Sequence, residues 1–172
     1  MKNGNLYYAN AFKRSKQKTP NWCFAAASKI VRSYFLKEKV SQADIVREYQ
    51  GKRGETGLEN MSKVDIKANY PGGGEEQWGE ILVHESTFVY PGAGQELEQS
   101  VREMLKRNLG ADVIVPVGYG GHCIIVSHYD AETDMIRYWD PLKGTDIEWT
   151  PLALLFMEMA EFRDFYAFKD LI

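Results

Sequence analysis

Cysteine and histidine are scarce: the 172 residues hold two cysteines and three histidines. Two cysteines make no disulfide framework, and the absence of CxxC or HxxxH spacing leaves no structural zinc motif. No apolar run approaches the roughly 18 residues of a membrane-spanning helix. The opening Met1-Lys-Asn-Gly-Asn-Leu-Tyr-Tyr8 lacks the apolar core of a secretory signal. The expectation is a chain made in a reducing cytoplasm, with export by a specialised route left open. Positive charge is not in excess either. Lys and Arg total 21 against 24 Asp and Glu, a net charge of -3, which gives no global attraction to nucleic acid or an anionic membrane. The glycines, Gly72-Gly73-Gly74 among them, are followed by no Gly-Lys-Ser/Thr or GxGxxG context, which excludes a phosphate cradle.

What is present is ordinary globular material, 44% hydrophobic and 13% aromatic. At this length one domain over residues 1–172 buries its own core without metal or cross-link. No internal repeat and no linker divides it. Residues 1–16 show no period and read as an N-terminal arm, with Lys13, Arg14, Lys16 and Lys18 as a solvated basic cluster.

Pro20 and Asn21 mark a helix start, Asn21 serving as N-cap. Phe24, Ala27, Ile30, Val31, Tyr34 and Phe35 then recur at steps of three and four, predicting a buried helix to about Lys37. Its alanines permit close packing, so it is expected to be central. Ser41 to Gly51 predicts a second, short helix with Ser41 as cap and Gly51 as stop. Residues 52–80 read as a long irregular excursion, and 81–85 and 87–90 as short strands or turns. Gln95 to Leu109 predicts a third helix, closed by Gly110. Strands are then expected over 112–117, 122–129 and 135–140. The polar turn 130–134 makes the last two a hairpin, and Pro141 to Gly144 makes a second turn. Thr150 and Pro151 open a last short helix to about Ala160, before a strand over 163–169. Helices first and mostly antiparallel strands afterwards make the fold class α+β.

Cys23 opens the first helix, where unpaired N–H groups carry about half a positive charge and favour thiolate. His122 follows Gly118-Tyr-Gly-Gly121, where Gly120 and Gly121 would let the chain approach a cleft unobstructed. Asp140 ends the next strand of the hairpin, so the two should be neighbours across the ladder. A carboxylate that accepts from one ring nitrogen fixes the tautomer and frees the other nitrogen to move a proton. Gln17, six positions before Cys23, offers an amide beside the same sulfur. Together these are the parts of covalent acyl transfer, the oxyanion lying between the Gln17 amide and the Cys23 N–H.

Gln17-xxxxx-Cys23-Phe24, Gly121-His122-Cys123-Ile124 and Tyr138-Trp139-Asp140-Pro141-Leu142-Lys143-Gly144, in that order, resemble the papain-like cysteine peptidase superfamily. The nearer likeness is to its bacterial peptidase C39-like domains, and it covers roughly residues 15–145. The resemblance implies a papain-like fold, with the cysteine helix packed on an antiparallel sheet that carries His122 and Asp140. It also implies nucleophile, base, orienting and oxyanion roles for Cys23, His122, Asp140 and Gln17, with no cofactor and no metal. Trp22 departs from the pattern, standing where such enzymes have a small residue; its bulk would narrow the cleft or cover the thiol. Trp22, Gly120 and Gly121 are the expected substrate-binding residues. C39 domains usually sit on exporters and cut after a Gly-Gly leader. No exporter accompanies these residues, so at most a preference for small residues before the cut carries over. Papain-like domains of this size also resemble bacterial effectors or toxins, which implies a cognate inhibitor or immunity protein.

Three functions stay open at this point. The first is a cysteine endopeptidase acting on a protein or peptide. The second uses the same groups as a glutamine deamidase, a transglutaminase-like enzyme or an acyltransferase. The third is a non-catalytic binding module that keeps the fold. Among rival residues, Cys123 adjoins His122 on a strand and so should face the core as a filler. His128 should share the face of His122 roughly 20 Å further along and be structural. His84 is expected at the surface, and Trp78 and Trp139 as wall or core.

Overall fold

The computed structural model describes residues 1–20, 22–52, 81–86, 95–119, 122–158 and 163–171. Expectations for Asn21, the excursion over 53–80 with its glycines and Trp78, residues 87–90, and Gly120 and Gly121 therefore fall outside the described residues.

Helix α1, Cys23–Val31, is central as its alanines suggested. Eight of its nine residues are buried, Lys29 being the exception, so it is enclosed on nearly all sides and not along one stripe. It does not run as an α-helix to Lys37: from Arg32 to Leu36 the register widens to a π-helical turn. Lys37, at φ 58°, then ends the turn in the left-handed conformation that glycine more often supplies. Trp22 holds the N-cap position without a side-chain cap, and its carbonyl accepts from Ala26 N at 2.9 Å. Helix α2, Gln42–Lys52, passes through Gly51 and does not stop before it. Ser41 caps it as expected: Asp44 N donates to Ser41 Oγ at 3.1 Å, and Ser41 N donates back to Asp44 Oδ2 at 3.3 Å. Helix α3 spans Gln95–Gly110.

The described strands form one eight-stranded antiparallel sheet. They are β1 (Lys2–Asn3), β2 (Leu6–Tyr8), β3 (Leu82–Ser86), β4 (Val115–Tyr119), β5 (His122–Asp130), β6 (Met135–Asp140), β7 (Thr145–Pro151) and β8 (Arg163–Phe168). Strand β5 is the hub, pairing β2 and β4 along one edge and β6 along the other. Helix α1 packs against it. The architecture is therefore α+β, with the cysteine helix on an antiparallel sheet.

Two further expectations need correction. Residues 1–16 are not merely an arm, because β1 and β2 lie within them and β2 pairs with the far end of β5. At two and three residues these strands are too short to show a period. Thr150 and Pro151 do not open a helix; they end β7, and helix α4 begins at Leu152. Strand β7 is paired to β6 alone among the described strands. A proline that cannot donate to a ladder is tolerated on such an edge. The expected turn at Pro141 to Gly144 is present, with Gly144 N donating to Asp140 O at 2.8 Å. Gly144 has φ +67°, and a Cβ there would collide with the Lys16 side chain.

Candidate active site

The N-terminus of α1 meets the start of β5, and this junction brings Cys23 to His122 and Cys123, about 100 positions on in the chain. Phe24, wholly buried, fixes the helix end. Burying such a side chain contributes about 1.5–3 kcal/mol. Cys23 is 5% exposed, and its sulfur takes hydrogen bonds from Cys123, from His122 and from the Phe24 backbone.

The His122 ring uses Nε2 for Asp140 Oδ1, at 2.9 Å. Since the carboxylate can only accept, Nε2 carries the hydrogen, and Nδ1 is left for Cys23. The paired register of β5 and β6 ends at Ile125 and Trp139. His122 and Asp140 thus meet beyond the last ladder pair, through their side chains. Asp140 Oδ1 accepts from Leu142 N as well, also at 2.9 Å, so the turn after β6 fixes the carboxylate's direction.

The electrostatics follow from these contacts. The Cys23 thiol is lowered to about 5: the Cys123 hydrogen bond is the largest influence, burial opposes it, and His122 adds a hydrogen bond and its charge. His122 is raised to about 9. Burial pushes it down, but hydrogen bonds and charge from Asp140 and Cys23 together outweigh burial. Asp140 stays below the usual carboxylate range, because His122 and the amides of Leu142 and Lys143 outweigh its burial. At neutral pH the pair is thiolate and imidazolium, and Asp140 is ionised.

Cys123 lies in the core as expected, 1% exposed and part of the buried cluster, and its thiol in addition hydrogen-bonds the Cys23 sulfur. Strand alternation sends His122 and Cys123 to opposite faces, but Cys23 sits at the strand's first residues and takes contacts from both. His128 is structural: it bonds Ser127 Oγ at 2.8 Å and stacks on Tyr8 at 5.7 Å. A register shift between Val126 and His128 interrupts the alternation by which it would share the face of His122.

Gln17 is 7% exposed, and both its amide hydrogens are engaged, on Thr19 O at 2.9 Å and Pro20 O at 2.8 Å. Its Oε1 is buried without a partner among the described residues. Trp22 is 3% exposed and belongs to the core cluster, so its ring packs inward and offers little surface to a substrate. Trp139, 7% exposed, donates from Nε1 to Ser15 O at 3.1 Å. Gln42, which sequence reasoning passed over, is 1% exposed with three hydrogen bonds. A glutamine at the first position of the helix, directly after its Ser41 cap, was the available signal. A surface cavity of about 470 Å³ between the N-terminal segment and α1, lined by Lys13, Arg14, Lys29 and Glu38 among others, includes none of Cys23, His122 or Asp140.

No group of three or more His, Cys, Asp or Glu able to hold a metal occurs among the described residues. No described helix is long and apolar enough to cross a membrane.

Comparison with known proteins adds three findings. Residues 9–167 match the family described as Peptidase_C39 like family. No curated protein matches the chain. Among solved structures it resembles the crystal structure of a double glycine motif protease from an AMS/PCAT transporter in complex with the leader peptide. The identity is 13% and the TM-score 0.49, over 94% of each chain.

Proposed function

The chain belongs to the Peptidase_C39 like family and is a cysteine peptidase, and from that premise we propose that it is an endopeptidase cutting a protein substrate through Cys23, His122 and Asp140. The observation that carries this reading is the continuous line of contacts from the Cys23 sulfur through the His122 ring to Asp140. The thiolate attacks the scissile carbonyl, forming the C–S bond as the carbonyl electrons move to oxygen. That oxyanion is held between the Cys23 N–H and the Gln17 amide. Its collapse breaks the C–N bond, and imidazolium passes its proton to the leaving amine. Water, deprotonated by the now neutral His122, hydrolyses the thioester and restores the ion pair. Asp140 holds the ring throughout and stabilises its charge.

Gln17 must exchange one hydrogen bond to serve, since both amide hydrogens lie on backbone carbonyls. Giving up the bond to Thr19 O leaves that carbonyl its bond from Trp22 N at 3.2 Å, and a bond to a charged group contributes about 1.5–3 kcal/mol against about 0.5–1.5 for one between neutral groups. The unpartnered Oε1 adds nothing that would resist rotation of the amide.

One catalytic domain over residues 1–172 is part of the proposal, supported by a single cluster of buried residues that runs from Ala9 to Ala167. A role as a bacterial effector or toxin, checked by a cognate inhibitor or immunity protein, extends it and rests on the sequence resemblance alone. Mapping of new protein N-termini after exposure of a proteome to wild type and to Cys23→Ala tests the reading. New termini that depend on Cys23 support it. Glutamine-to-glutamate conversion without cleavage would replace it with deamidation.

A further inference from the structure

Residues 15–18 form a strap tied to Trp139 and to the turn after Asp140, and a buried side chain from α2 holds them. Gln42 Nε2 donates to Lys16 O at 2.8 Å and to Ser15 Oγ at 2.9 Å, while Lys18 N donates to Gln42 Oε1 at 3.0 Å. One side-chain amide therefore satisfies the carbonyl before Gln17 and the N–H after it, as a neighbouring strand would. The peptide N–H of Gln17 itself donates to Pro141 O at 2.9 Å, next to Asp140. Trp139 Nε1 ties down Ser15 O, and the Lys16 side chain lies across Gly144.

The backbone of Gln17 is thus fastened on one side to α2 and on the other to the turn that orients Asp140. The Gln17 side chain turns only by giving up one of its bonds to Thr19 O and Pro20 O. We propose that Gln42 is a positioning residue: it fixes the strap so that the Gln17 amide reaches the oxyanion formed on the substrate of Cys23. This rests on the acyl-transfer reading given above. Gln42 itself is buried, its three bonds are part-buried, and each is within ordinary hydrogen-bond distance. Their loss would loosen the strap on its α2 side without touching Cys23, His122 or Asp140.

Two probes of the same sulfur separate positioning from general damage. Iodoacetamide alkylates a thiolate by displacement and forms no oxyanion; p-nitrophenyl acetate acylates it through one. Gln42→Met, similar in size but unable to make the three bonds, should slow nitrophenolate release about tenfold or more. The ceiling is the 10²–10³ typical for loss of a whole oxyanion donor. The rate and pH profile of Cys23 alkylation should stay within twofold of wild type. In a Gln17→Ala background, Gln42→Met should cause no further loss, because the residue it positions is gone. Should Gln42→Met fail to fold, Gln42→Glu serves: it keeps the acceptor for Lys18 N and removes the donors to Ser15 and Lys16. Parallel loss of alkylation, or an undiminished effect beside Gln17→Ala, overturns the positioning role. If Gln17→Ala alone leaves ester turnover intact, the oxyanion assignment fails. If wild type alkylates but releases no nitrophenolate, the acyl-transfer reading fails, and in both cases the positioning role falls with it.

Discussion

Asp140 Oδ1 accepts from His122 Nε2 and from Leu142 N, each at 2.9 Å, so one oxygen both aims the ring and is aimed by the turn. An asparagine oxygen would accept the same two bonds without the charge. Asp140→Asn is therefore expected to keep the geometry and much of the turnover. His122 should lose the Asp140 charge that helps raise it and keep the Cys23 contribution, moving the alkaline limb of the pH profile downward from about 9. A pH–rate series compares the variants. Complete loss of activity in a normally folded Asp140→Asn would mean that the negative charge itself is required.

Wild-type activity should follow a bell with limbs near pH 5 and pH 9, the apparent values of the coupled pair. Below the acid limb the thiolate is protonated and attack stops. Above the alkaline limb the imidazolium loses the proton that the leaving amine needs. Alkylation by iodoacetamide, which requires no proton donor, should show the acid limb and keep its rate above pH 9. An alkylation limb near pH 8–9, as for an ordinary thiol, would contradict the ion pair.

Cys23→Ala is expected to abolish covalent labelling and turnover while the fold persists, since the change removes one sulfur from the helix end. Intact-mass measurement after iodoacetamide, with circular dichroism as control, checks both halves. Labelling of Cys123 in wild type at neutral pH would reverse the assignment of the nucleophile.

Cys123→Ala should leave alkylation confined to Cys23 but move its acid limb upward. The Cys123 hydrogen bond is the largest influence lowering that thiol, while His122 still holds it below an ordinary cysteine. An unchanged limb would show that Cys123 only fills space.

Phe24→Ala should destabilise by about 3–5 kcal/mol, the usual range for emptying a fully packed aromatic site. Phe24 is wholly buried beside the nucleophile, so denaturant unfolding should show the loss. A change under 1 kcal/mol would mean that the helix end is held from elsewhere.

How much was legible in the sequence depended on the range of the interaction. The three- and four-residue steps of α1 and α3, the Ser41 cap and the turn ending at Gly144 are set by contacts within one or two turns of chain. The hairpin from β5 to β6 was legible too, because a short polar turn leaves two apolar runs one way to pair. It was the hairpin that made His122 and Asp140 expected neighbours. By contrast β2 is three residues long and is paired to β1 and to the distant β5. Strand β7 is likewise paired to β6, and its Ile147 and Trp149 alternate too briefly to outweigh the proline that follows.

The sequence by itself determined the chemical kinds present: a cysteine at a helix start, a histidine opening a strand, an aspartate closing the next, and a glutamine six positions before the cysteine. Local backbone preference and short-range pairing are enough for that. The tertiary structure alone decided how those groups are held. Packing of α1 on β5 set Cys23 against both His122 and Cys123, and burial turned Trp22 into the core. The Gln42 side chain joined the Gln17 strap to α2 across more than 20 residues of chain. Such contacts depend on how whole elements dock, and the side-chain pattern of any one element carries no record of the partner it will meet.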